Sequence, residues 1–314
     1  MIMKCLHVFV TIIILGSFTA CKNNHEDQAE PETIPVIGYT FLRSFPHDTA
    51  SFTEGLLIHD RILYESTGSF GQSSYLRSVF GPVDRLTGKI DIKVELDRNT
   101  YCGEGICYLK GKYYQLTYTN QVGFVYDALT FLKKDEFSFQ SSQGWGLTTD
   151  GKSLIMSDGT DKLTFLDPET YLVKGVISVT WNGTAEKYLN ELEFIGGYVY
   201  ANVWLTNTIV KIDPSTGKIH GILDLTALAK EAENEYPGSM EMNGIAYDYV
   251  SGNIKITGKL WPRVYEIRLT GISNSTDLPV SHTGSENDII SPAGPPLRTL
   301  ATRSPFTRHR INGL

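Results

Sequence analysis

The segment Gly103-Glu104-Gly105-Ile106-Cys107 decides the fold, because its pattern recurs along the chain. The centre of this pattern is a polar or aromatic residue, which in most copies lies beside glycine. The residues after it are apolar and begin a strand-like stretch. The other copies are Thr53-Glu54-Gly55-Leu56-Leu57, Gly144-Trp145-Gly146-Leu147, Asn190-Glu191-Leu192-Glu193-Phe194 and Met242-Asn243-Gly244-Ile245-Ala246. Their central residues, at positions 54, 104, 145, 191 and 243, are 41 to 52 residues apart. The chain therefore contains five similar units, each long enough for one small sheet.

The remainder of each unit fits an antiparallel meander of four strands. In the fourth unit, residues 193–195 lead to a Gly196-Gly197 turn, and an alternating strand follows over residues 198–204. This order of a strand, a glycine turn, a second strand and an Asp-Pro turn is typical of a β-propeller blade. We therefore predict an all-β fold at residues 34–270, a five-bladed β-propeller with four-stranded antiparallel blades around a central channel. A first strand near residues 36–45 is expected to complete the last blade and close the ring.

Composition and charge agree with this architecture. The 314 residues include 17 Tyr, 14 Phe and 29 Gly, which suits many short strands rather than long helices. Residues 180–189 predict a loop or helix between two units, and residues 225–235 predict a short helix. Cys102 and Cys107 are expected on opposite faces of one strand, so neither a disulfide nor a zinc site is predicted from them. The net charge of −7 argues against nucleic acid as a partner.

The first residues of the chain predict export. The run at residues 8–16 is mostly apolar but too short to span a bilayer comfortably, which is typical of a signal peptide at residues 1–20. Small residues before Cys21 predict a lipid on that cysteine, with ordinary secretion as the alternative. We interpret residues 21–33 as a polar tether and residues 271–314 as a disordered tail. The prediction is a monomeric lipoprotein in the periplasm or on the surface of a bacterium, bound to the membrane only through its anchor.

Equivalent positions of the five units meet around the axis of a propeller, so the repeated segments bring distant side chains together. These side chains are Glu54, Glu104, Trp145, Asn190 with Glu191, and Asn243. Polar and aromatic groups that converge on one channel mouth favour a functional site there. For each single carboxylate, a structural role in capping a neighbouring blade stays open.

Six segments together resemble one known family. They are His47-Asp48-Thr49-Ala50-Ser51-Phe52-Thr53-Glu54-Gly55-Leu56, Gly103-Glu104-Gly105, Gly144-Trp145-Gly146-Leu147, Leu189-Asn190-Glu191-Leu192-Glu193, Ala201-Asn202-Val203-Trp204 and Thr257-Gly258-Lys259-Leu260-Trp261-Pro262. In order and spacing they are similar to the plant-type glutaminyl-peptide cyclotransferases, which also have secreted bacterial members. The resemblance implies a five-bladed propeller that converts the N-terminal Gln of peptides or proteins to pyroglutamate. It also implies that ammonia is released and that no catalytic metal or other cofactor is required.

The resemblance also implies roles for individual residues. The family's acid/base glutamate corresponds to Glu104, its polar orienting residue to Asn190 and its lysine to Lys259. Its substrate pocket corresponds to Phe52, Glu54, Trp145 and Trp204. This chain departs from the family at two positions, because it has Glu54 where Gln is common and Cys102 where an aromatic residue is common.

The proposed reaction needs side chains of these types. A peptide α-amine has a pKa of about 7.7–8.0, so near neutral pH a carboxylate must take its proton before the amine can attack. We assign this role to Glu104, which would then return a proton to the departing ammonia. Lys259 and Asn190 are candidate donors to the carboxamide oxygen as it becomes negative, and Asn190 is alternatively a group that orients the amide. The aromatic residues would hold the Gln side chain folded back on its own amine.

Several of these residues have ordinary structural interpretations. Trp204 also fits packing between blades, and Lys259 also fits a solvated position on the rim. Trp261-Pro262 is interpreted as a structural end of a strand. His47-Asp48 is interpreted as an Asx turn rather than a proton relay.

Two other classes of function remain open. In a calcium-dependent lactonase or esterase, Glu54, Glu104, Asn190 and Asn243 would bind Ca²⁺ in the channel, where a purely structural Ca²⁺ is also conceivable. The third class is a propeller that binds a partner without catalysis. The sequence has no GxSxG, HExxH, P-loop or Rossmann pattern, so serine hydrolase, zinc protease and nucleotide chemistry lack support.

Overall fold

The computed structural model describes residues 33–69 and 75–271, and nearly all regular structure in them is β-strand. Five four-stranded antiparallel sheets follow one another along the chain as the blades of a five-bladed propeller. This confirms the predicted fold. The predicted signal peptide, the lipidated Cys21 and almost all of the predicted tether and tail lie outside the described residues. Among the described residues no helix is both long enough and apolar enough to cross a membrane.

The strand bounds follow the predicted meander. Strand β1 is Gly38–Pro46. The first blade contains β2 (Thr53–His59), β3 (Ile62–Thr67), β4 (Val79–Pro82) and β5 (Val94–Glu95), and the second contains β6 (Gly103–Leu109), β7 (Lys112–Thr117), β8 (Val122–Asp127) and β9 (Lys133–Ser138). The third blade contains β10 (Leu147–Thr149), β11 (Leu154–Ser157), β12 (Lys162–Leu166) and β13 (Val173–Ser178), and a small ribbon of β14 (Thr180–Trp181) and β15 (Thr184–Ala185) follows it. The fourth contains β16 (Leu189–Ile195), β17 (Tyr198–Val203), β18 (Thr208–Ile212) and β19 (Ile219–Asp224), and after helix α1 (Thr226–Glu235) the fifth contains β20 (Met242–Asp248), β21 (Asn253–Gly258) and β22 (Arg263–Thr270).

The ring closes through the first strand. β1 pairs antiparallel with β22, from Gly38 opposite Thr270 to Pro46 opposite Arg263, so the last blade has the order β1-β22-β21-β20. The first strands of neighbouring blades also contact one another in a closed ring of β2, β6, β10, β16 and β20. The predicted closing strand is therefore confirmed, and each inner strand begins near the same end of the channel.

Glycine allows the inner strands to approach each other at the axis. A Cβ atom on Gly55 would lie 2.7 Å from the backbone nitrogen of Ile106, and Gly105 and Gly146 are in similarly close contact with the next blade. Only glycine fits such an approach. In the fourth unit the glycine position is occupied by Glu191, so the residue equivalent to Glu54 and Glu104 is Asn190. The prediction that placed Glu191 at the centre of that unit is wrong by one residue.

A recurring aspartate forms the turn between the third and fourth strands of four blades. The four turns start at Asp84, Asp127, Asp167 and Asp213, and each has Thr three residues later. In each turn the Asp side chain accepts hydrogen bonds from the following backbone and from this Thr, which holds the pKa of the carboxyl below its usual value. The predicted Asp-Pro turns are therefore two examples of an Asp-x-x-Thr turn that occurs in four blades of this protein and does not require proline.

Two local predictions need correction. Residues 180–189 contain the two-stranded ribbon β14–β15 and no helix, whereas α1 confirms the helix expected after residue 225. Cys102 precedes β6 and only Cys107 lies within it, so the two thiols do not share a strand. Both are free cysteines, as their separation suggested.

Candidate active site

A cavity of about 100 Å³ lies where the inner strands begin, and side chains from all five blades line it. They are Glu54, Glu104, Tyr118, Trp145, Asn190, Trp204 and Lys259. Six of these seven were predicted as site residues. One further predicted site residue, Phe52, does not line the cavity but lies beside it. The centroid of its ring is 4.4 Å from the ammonium of Lys259.

Two positions of the blade repeat supply most of this lining. Glu54, Glu104 and Asn190 are each the second residue of an inner strand, where a shift of strand register re-aims the side chain into the channel. The other position is the residue directly after the second strand of a blade, and it carries Tyr118, Trp204 and Lys259. Tyr118 was not predicted. Tyr118 directly follows β7, as Trp204 directly follows β17. This equivalence in the blade repeat could have identified Tyr118 as a site residue from the sequence.

Glu54 and Lys259 form a buried ion pair. The distance between Lys259 Nζ and Glu54 Oε1 is 2.9 Å, and the two side chains are 7% and 3% exposed. Asn243 Nδ2 donates hydrogen bonds to Glu54 Oε2 at 3.2 Å and to the carbonyl oxygen of Thr53 at 3.0 Å. Asn243 therefore holds Glu54 from behind and does not itself line the cavity. Lys259 is therefore buried against a carboxylate, which contradicts the alternative interpretation as a solvated residue on the rim.

The second carboxyl group of the cavity, Glu104, has no comparable partner among the described residues. Burial, followed by the negative charge of Glu54, raises the pKa of Glu104 well above its usual value, and Lys259 only partly opposes this. Burial alone would lower the pKa of Lys259. The negative charges of Glu54 and Glu104 have a larger effect in the opposite direction, so the pKa of the lysine is raised. The site thus combines a lysine that stays charged with a carboxyl group that readily holds a proton.

An aromatic wall faces these charged groups. The rings of Trp145 and Trp204 meet edge to face with centroids 5.7 Å apart, and the centroid of the tilted Tyr188 ring lies 5.9 Å from that of Trp204. Trp145 Nε1 donates a hydrogen bond to Gln143 Oε1 at 2.8 Å, which fixes the orientation of the indole. Both indoles are only half-buried and present apolar surface to the cavity. Trp204 therefore does more than pack between blades.

Asn190 offers an acceptor to a ligand. Its side chain lines the cavity, and its Oδ1 atom is buried without a hydrogen-bond partner among the described residues. A buried acceptor without a partner is costly in free energy, and a ligand N–H would satisfy it. The neighbouring Glu191 has a different role, because its carboxylate accepts hydrogen bonds from the backbone nitrogens of Leu56 and Ile245 in two other blades. Glu191 is therefore a structural bridge between blades.

The segment that carries Lys259 is fixed by residues from the start of the fold. Leu260 has a φ of 59°, and its backbone nitrogen donates to the carbonyl oxygen of Ser51 at 2.8 Å. The indole of Trp261 is buried and donates to the carbonyl oxygen of Met240, as its structural interpretation requires. Asp48 forms an Asx turn with the backbone nitrogen of Ala50, and His47 is buried in contact with Glu65 rather than with the cavity.

The described residues contain no group of three or more His, Cys, Asp or Glu side chains that could hold a metal ion. Of the four ligands considered for calcium, Glu54 and Asn243 bond to each other and Glu54 bonds to Lys259. An ammonium group already occupies the position at Glu54 that a cation would take. The geometry therefore offers nothing in favour of the calcium-dependent alternative.

Comparisons with known proteins agree with this geometry. The family model for glutamine cyclotransferase matches residues 10–269. A glutaminyl-peptide cyclotransferase from Arabidopsis thaliana is 41% identical over 227 residues, which is 72% of this chain and 69% of the relative. The crystal structure of glutaminyl cyclase from Myxococcus xanthus matches with a TM-score of 0.67 and 31% identity, over 75% of this chain and 98% of that one. The chain therefore belongs to the glutamine cyclotransferase family.

Proposed function

We propose that this protein is a glutaminyl-peptide cyclotransferase, which converts the N-terminal Gln of a peptide or protein to pyroglutamate and releases ammonia. The observation that carries the proposal is the single cavity in which Glu104, Lys259 and Asn190 meet an aromatic wall. Membership of the glutamine cyclotransferase family supports the same reaction.

Glu104 moves the proton in the proposed reaction. The substrate enters with its α-amine mostly protonated near neutral pH, and the carboxylate form of Glu104 takes this proton. Because burial raises the pKa of Glu104, the proton transfer to it is less unfavourable than it would be to an ordinary carboxylate. The neutral amine attacks the carbon of the γ-carboxamide, and a new C–N bond closes the five-membered ring. Glu104 then gives its proton to the leaving nitrogen, the bond from the carbon to that nitrogen breaks, and ammonia departs. The ring nitrogen loses its extra proton to the released ammonia or to water, which leaves pyroglutamate and the carboxylate form of Glu104.

The other residues orient the substrate and stabilise charge. Lys259 lies beside Glu104 with a raised pKa, and its positive charge stabilises the carboxamide oxygen as that oxygen becomes negative. Asn190 Oδ1 accepts a hydrogen bond from a substrate N–H group, either of the amine or of the amide. Trp145 and Trp204 hold the aliphatic part of the Gln side chain so that amine and carboxamide stay within reach of each other.

A direct assay tests the proposal. The full chain is incubated with a Gln-initiated dipeptide, and ammonia release and the mass of the product are followed together. Glu104→Gln should remove most of the activity, whereas Glu136→Gln, an exposed position on the same blade, should leave it intact. Activity that resists a chelator separates this function from the calcium-dependent hydrolase. No ammonia from any Gln-initiated peptide, by a folded protein, would refute the proposal.

We also propose that the protein is exported and carries its lipid on Cys21. The support is the short apolar run at residues 8–16 and the small residues before Cys21. The tether after Cys21 would then hold the propeller at the periplasmic or outer surface of the cell. Mass spectrometry of the N-terminal peptide tests this, because a lipidated Cys21 adds acyl mass and Cys21→Ser abolishes it. A protein that retains residues 1–20 after expression in a bacterial host would contradict the proposal.

A further inference from the structure

A second cavity, of about 170 Å³, lies between the first and last blades, and we call it the seam cavity. Residues of β1, the β2–β3 turn, β21 and β22 contribute to its lining, so it opens at the joint where the ring closes. Its lining contains four cationic side chains, which are Arg43, Arg61, Arg85 and Lys255. This is an unusual concentration of positive charge for a protein whose net charge is −7.

Three of these cations surround one aromatic ring. The guanidinium carbons of Arg85 and Arg43 lie 4.6 and 5.1 Å from the ring centroid of Phe45, and Lys255 Nζ lies 5.8 Å from it. The side chain of Lys255 is only 12% exposed. Burial lowers the pKa of Lys255, and the charges of Arg85 and Arg43 add to this, although Glu266 and Asp248 oppose it. The positive groups are therefore held close enough to repel each other.

The acidic residues of the seam cavity do not neutralise this charge. They are Glu266 and Asp248, so two carboxylates face four cations. Glu266 is shared, because it binds Arg43 at 2.7 Å, Asn253 at 2.6 Å and Lys255 at 3.7 Å. The Asp248 side chain accepts hydrogen bonds from Val250 and Ser251 in its own turn.

Arg61 and Arg85 have unused hydrogen-bond donors. Neither guanidinium forms a hydrogen bond or an ion pair with a described residue, and the contact of Arg85 with the face of Phe45 leaves its N–H groups available. The acidic residues next to them in sequence do not bond to them, because Asp60 is mostly exposed and lies 3.4 Å from His59, and Asp84 accepts hydrogen bonds within its own turn. The seam cavity thus combines an excess of two positive charges with two free guanidinium groups.

We infer that the seam cavity binds a phosphate group. A phosphate monoester carries about −1.5 to −2 charges at pH 7, which matches the positive excess, and its oxygens fit the planar donor pairs of arginine. The group could belong to a soluble phosphate compound or to the headgroup of a phospholipid, and the same chemistry would recognise both. Glu54 is the second residue of β2 and Arg61 follows the end of this strand, on the order of 15 Å further along. Phosphate would therefore bind away from the active site and link the first blade to the last.

A binding experiment with inorganic phosphate tests the inference. The full chain is titrated with phosphate by calorimetry at constant ionic strength, with chloride as the reference anion. We expect saturable binding with a Kd on the order of 1 mM or below, together with a higher Tm. The double variant Arg61→Gln/Arg85→Gln should weaken binding at least about tenfold. Arg77→Gln should not weaken it, because Arg77 is an exposed residue of the same blade that pairs with Glu95.

A vesicle experiment separates the two sources of phosphate. Cosedimentation with phosphatidic acid vesicles, but not phosphatidylcholine vesicles, that falls in the double variant identifies a lipid headgroup as the ligand. Binding of free phosphate without this preference identifies a soluble ligand. All variants should retain the unfolding transition and the cyclisation rate of the wild type. If phosphate and anionic vesicles bind no better than their references, or bind equally to the double variant, the inference is wrong.

Discussion

At the scale of single residues, the active-site cavity contains two carboxyl groups and one lysine, and the two carboxyl groups are not equivalent. Glu54 is in direct contact with Lys259, whereas burial and the neighbouring Glu54 both favour the protonated form of Glu104. A pair of titrating groups whose surroundings separate their pKa values is a common arrangement for proton transfer. Burial raises the pKa of Glu54 as well, but the ammonium of Lys259 opposes this through direct contact, so Glu104 is the carboxyl group that more readily holds the proton.

Replacing Glu104 with Gln should reduce activity and raise stability. We expect kcat to fall at least about 100-fold, because Gln cannot carry the proton between the amine and the leaving nitrogen. The pKa of Glu104 is raised in the folded protein, so this group costs stability once the pH exceeds its unfolded pKa. The variant should therefore have a higher Tm than the wild type at pH 7, by about 2–4 °C for each kcal/mol gained. Calorimetry and steady-state kinetics on one preparation measure both effects, and a lower Tm would contradict the assignment.

Replacing Glu54 with Gln should move the pH profile of the enzyme. The change removes a negative charge beside Glu104, and it frees Lys259 from its partner, so the pKa of Glu104 should fall. In a plot of kcat/KM against pH, the limb that belongs to Glu104 should shift to lower pH. The limb that belongs to the substrate amine should stay near its usual pKa of about 7.7–8.0. Glu241 also acts on Glu54 and Lys259, so Glu241→Gln is a control that should produce a smaller shift.

At the scale of elements, the segment after β21 depends on the segment before β2. The backbone nitrogen of His47 donates to the carbonyl oxygen of Pro262 at 2.9 Å, and its Nδ1 lies 2.7 Å from the carbonyl oxygen of Trp261. His47 Nε2 lies 3.1 Å from Glu65 Oε1, and both side chains are fully buried. A protonated His47 donates through both ring nitrogens, so it joins the Lys259 segment to the first blade.

Replacing His47 with Gln should reduce stability in a pH-dependent way. Burial disfavours the charged imidazole, but Glu65 and the carbonyl oxygen of Trp261 outweigh it and raise the pKa of His47. The stability from this pair is fully present below the unfolded pKa of about 6.5 and is lost as the pH rises through the folded pKa. Denaturation at pH 6 should show a loss of about 3–5 kcal/mol in the free energy of unfolding, and a smaller loss at high pH.

A second variant tests whether the buried pair causes this loss. In the double variant His47→Gln/Glu65→Gln no buried carboxylate lacks its partner, so part of the stability should return. The Thr53 hydroxyl, which donates to Glu65 at 2.7 Å, can donate equally to the amide oxygen of Gln. A loss that is the same at every pH, or no recovery in the double variant, would show that the pair is not charged in the folded protein.

At the scale of the whole molecule, closure of the ring rests on β1. A chain that starts after Pro46 would leave β22 as an exposed edge and remove the pairing from Gly38 to Pro46. We expect this truncation to lose cooperative unfolding or to aggregate, whereas a chain that starts at Thr33 should keep the Tm of the full chain within a few degrees. Thermal unfolding followed by circular dichroism compares the two. Equal stability of both truncations would show that β1 does not close the ring.

Much of this architecture could be predicted from the sequence, because the repeated segments depend on local rules. Gly55 and Gly105 mark the close approach of inner strands, and Asp-x-x-Thr turns mark the ends of third strands. The prediction failed where one unit departs from the repeat. Glu191 occupies a glycine position and extends its carboxylate to two other blades, which no local pattern reveals. Tyr118 was missed because an aromatic residue at the end of a strand is common in packed sheets.

The sequence by itself determined the number of blades, the side chains available at the axis and the family to which they correspond. Only the tertiary structure decided which charges meet: that Lys259 pairs with Glu54, that Glu104 stays without such a partner among the described residues, and that four cations gather where the ring closes. The physical reason is that repeats and turns follow from short-range sterics and hydrogen bonds. A pKa instead depends on burial and on charges that are close in space but come from blades far apart in the chain.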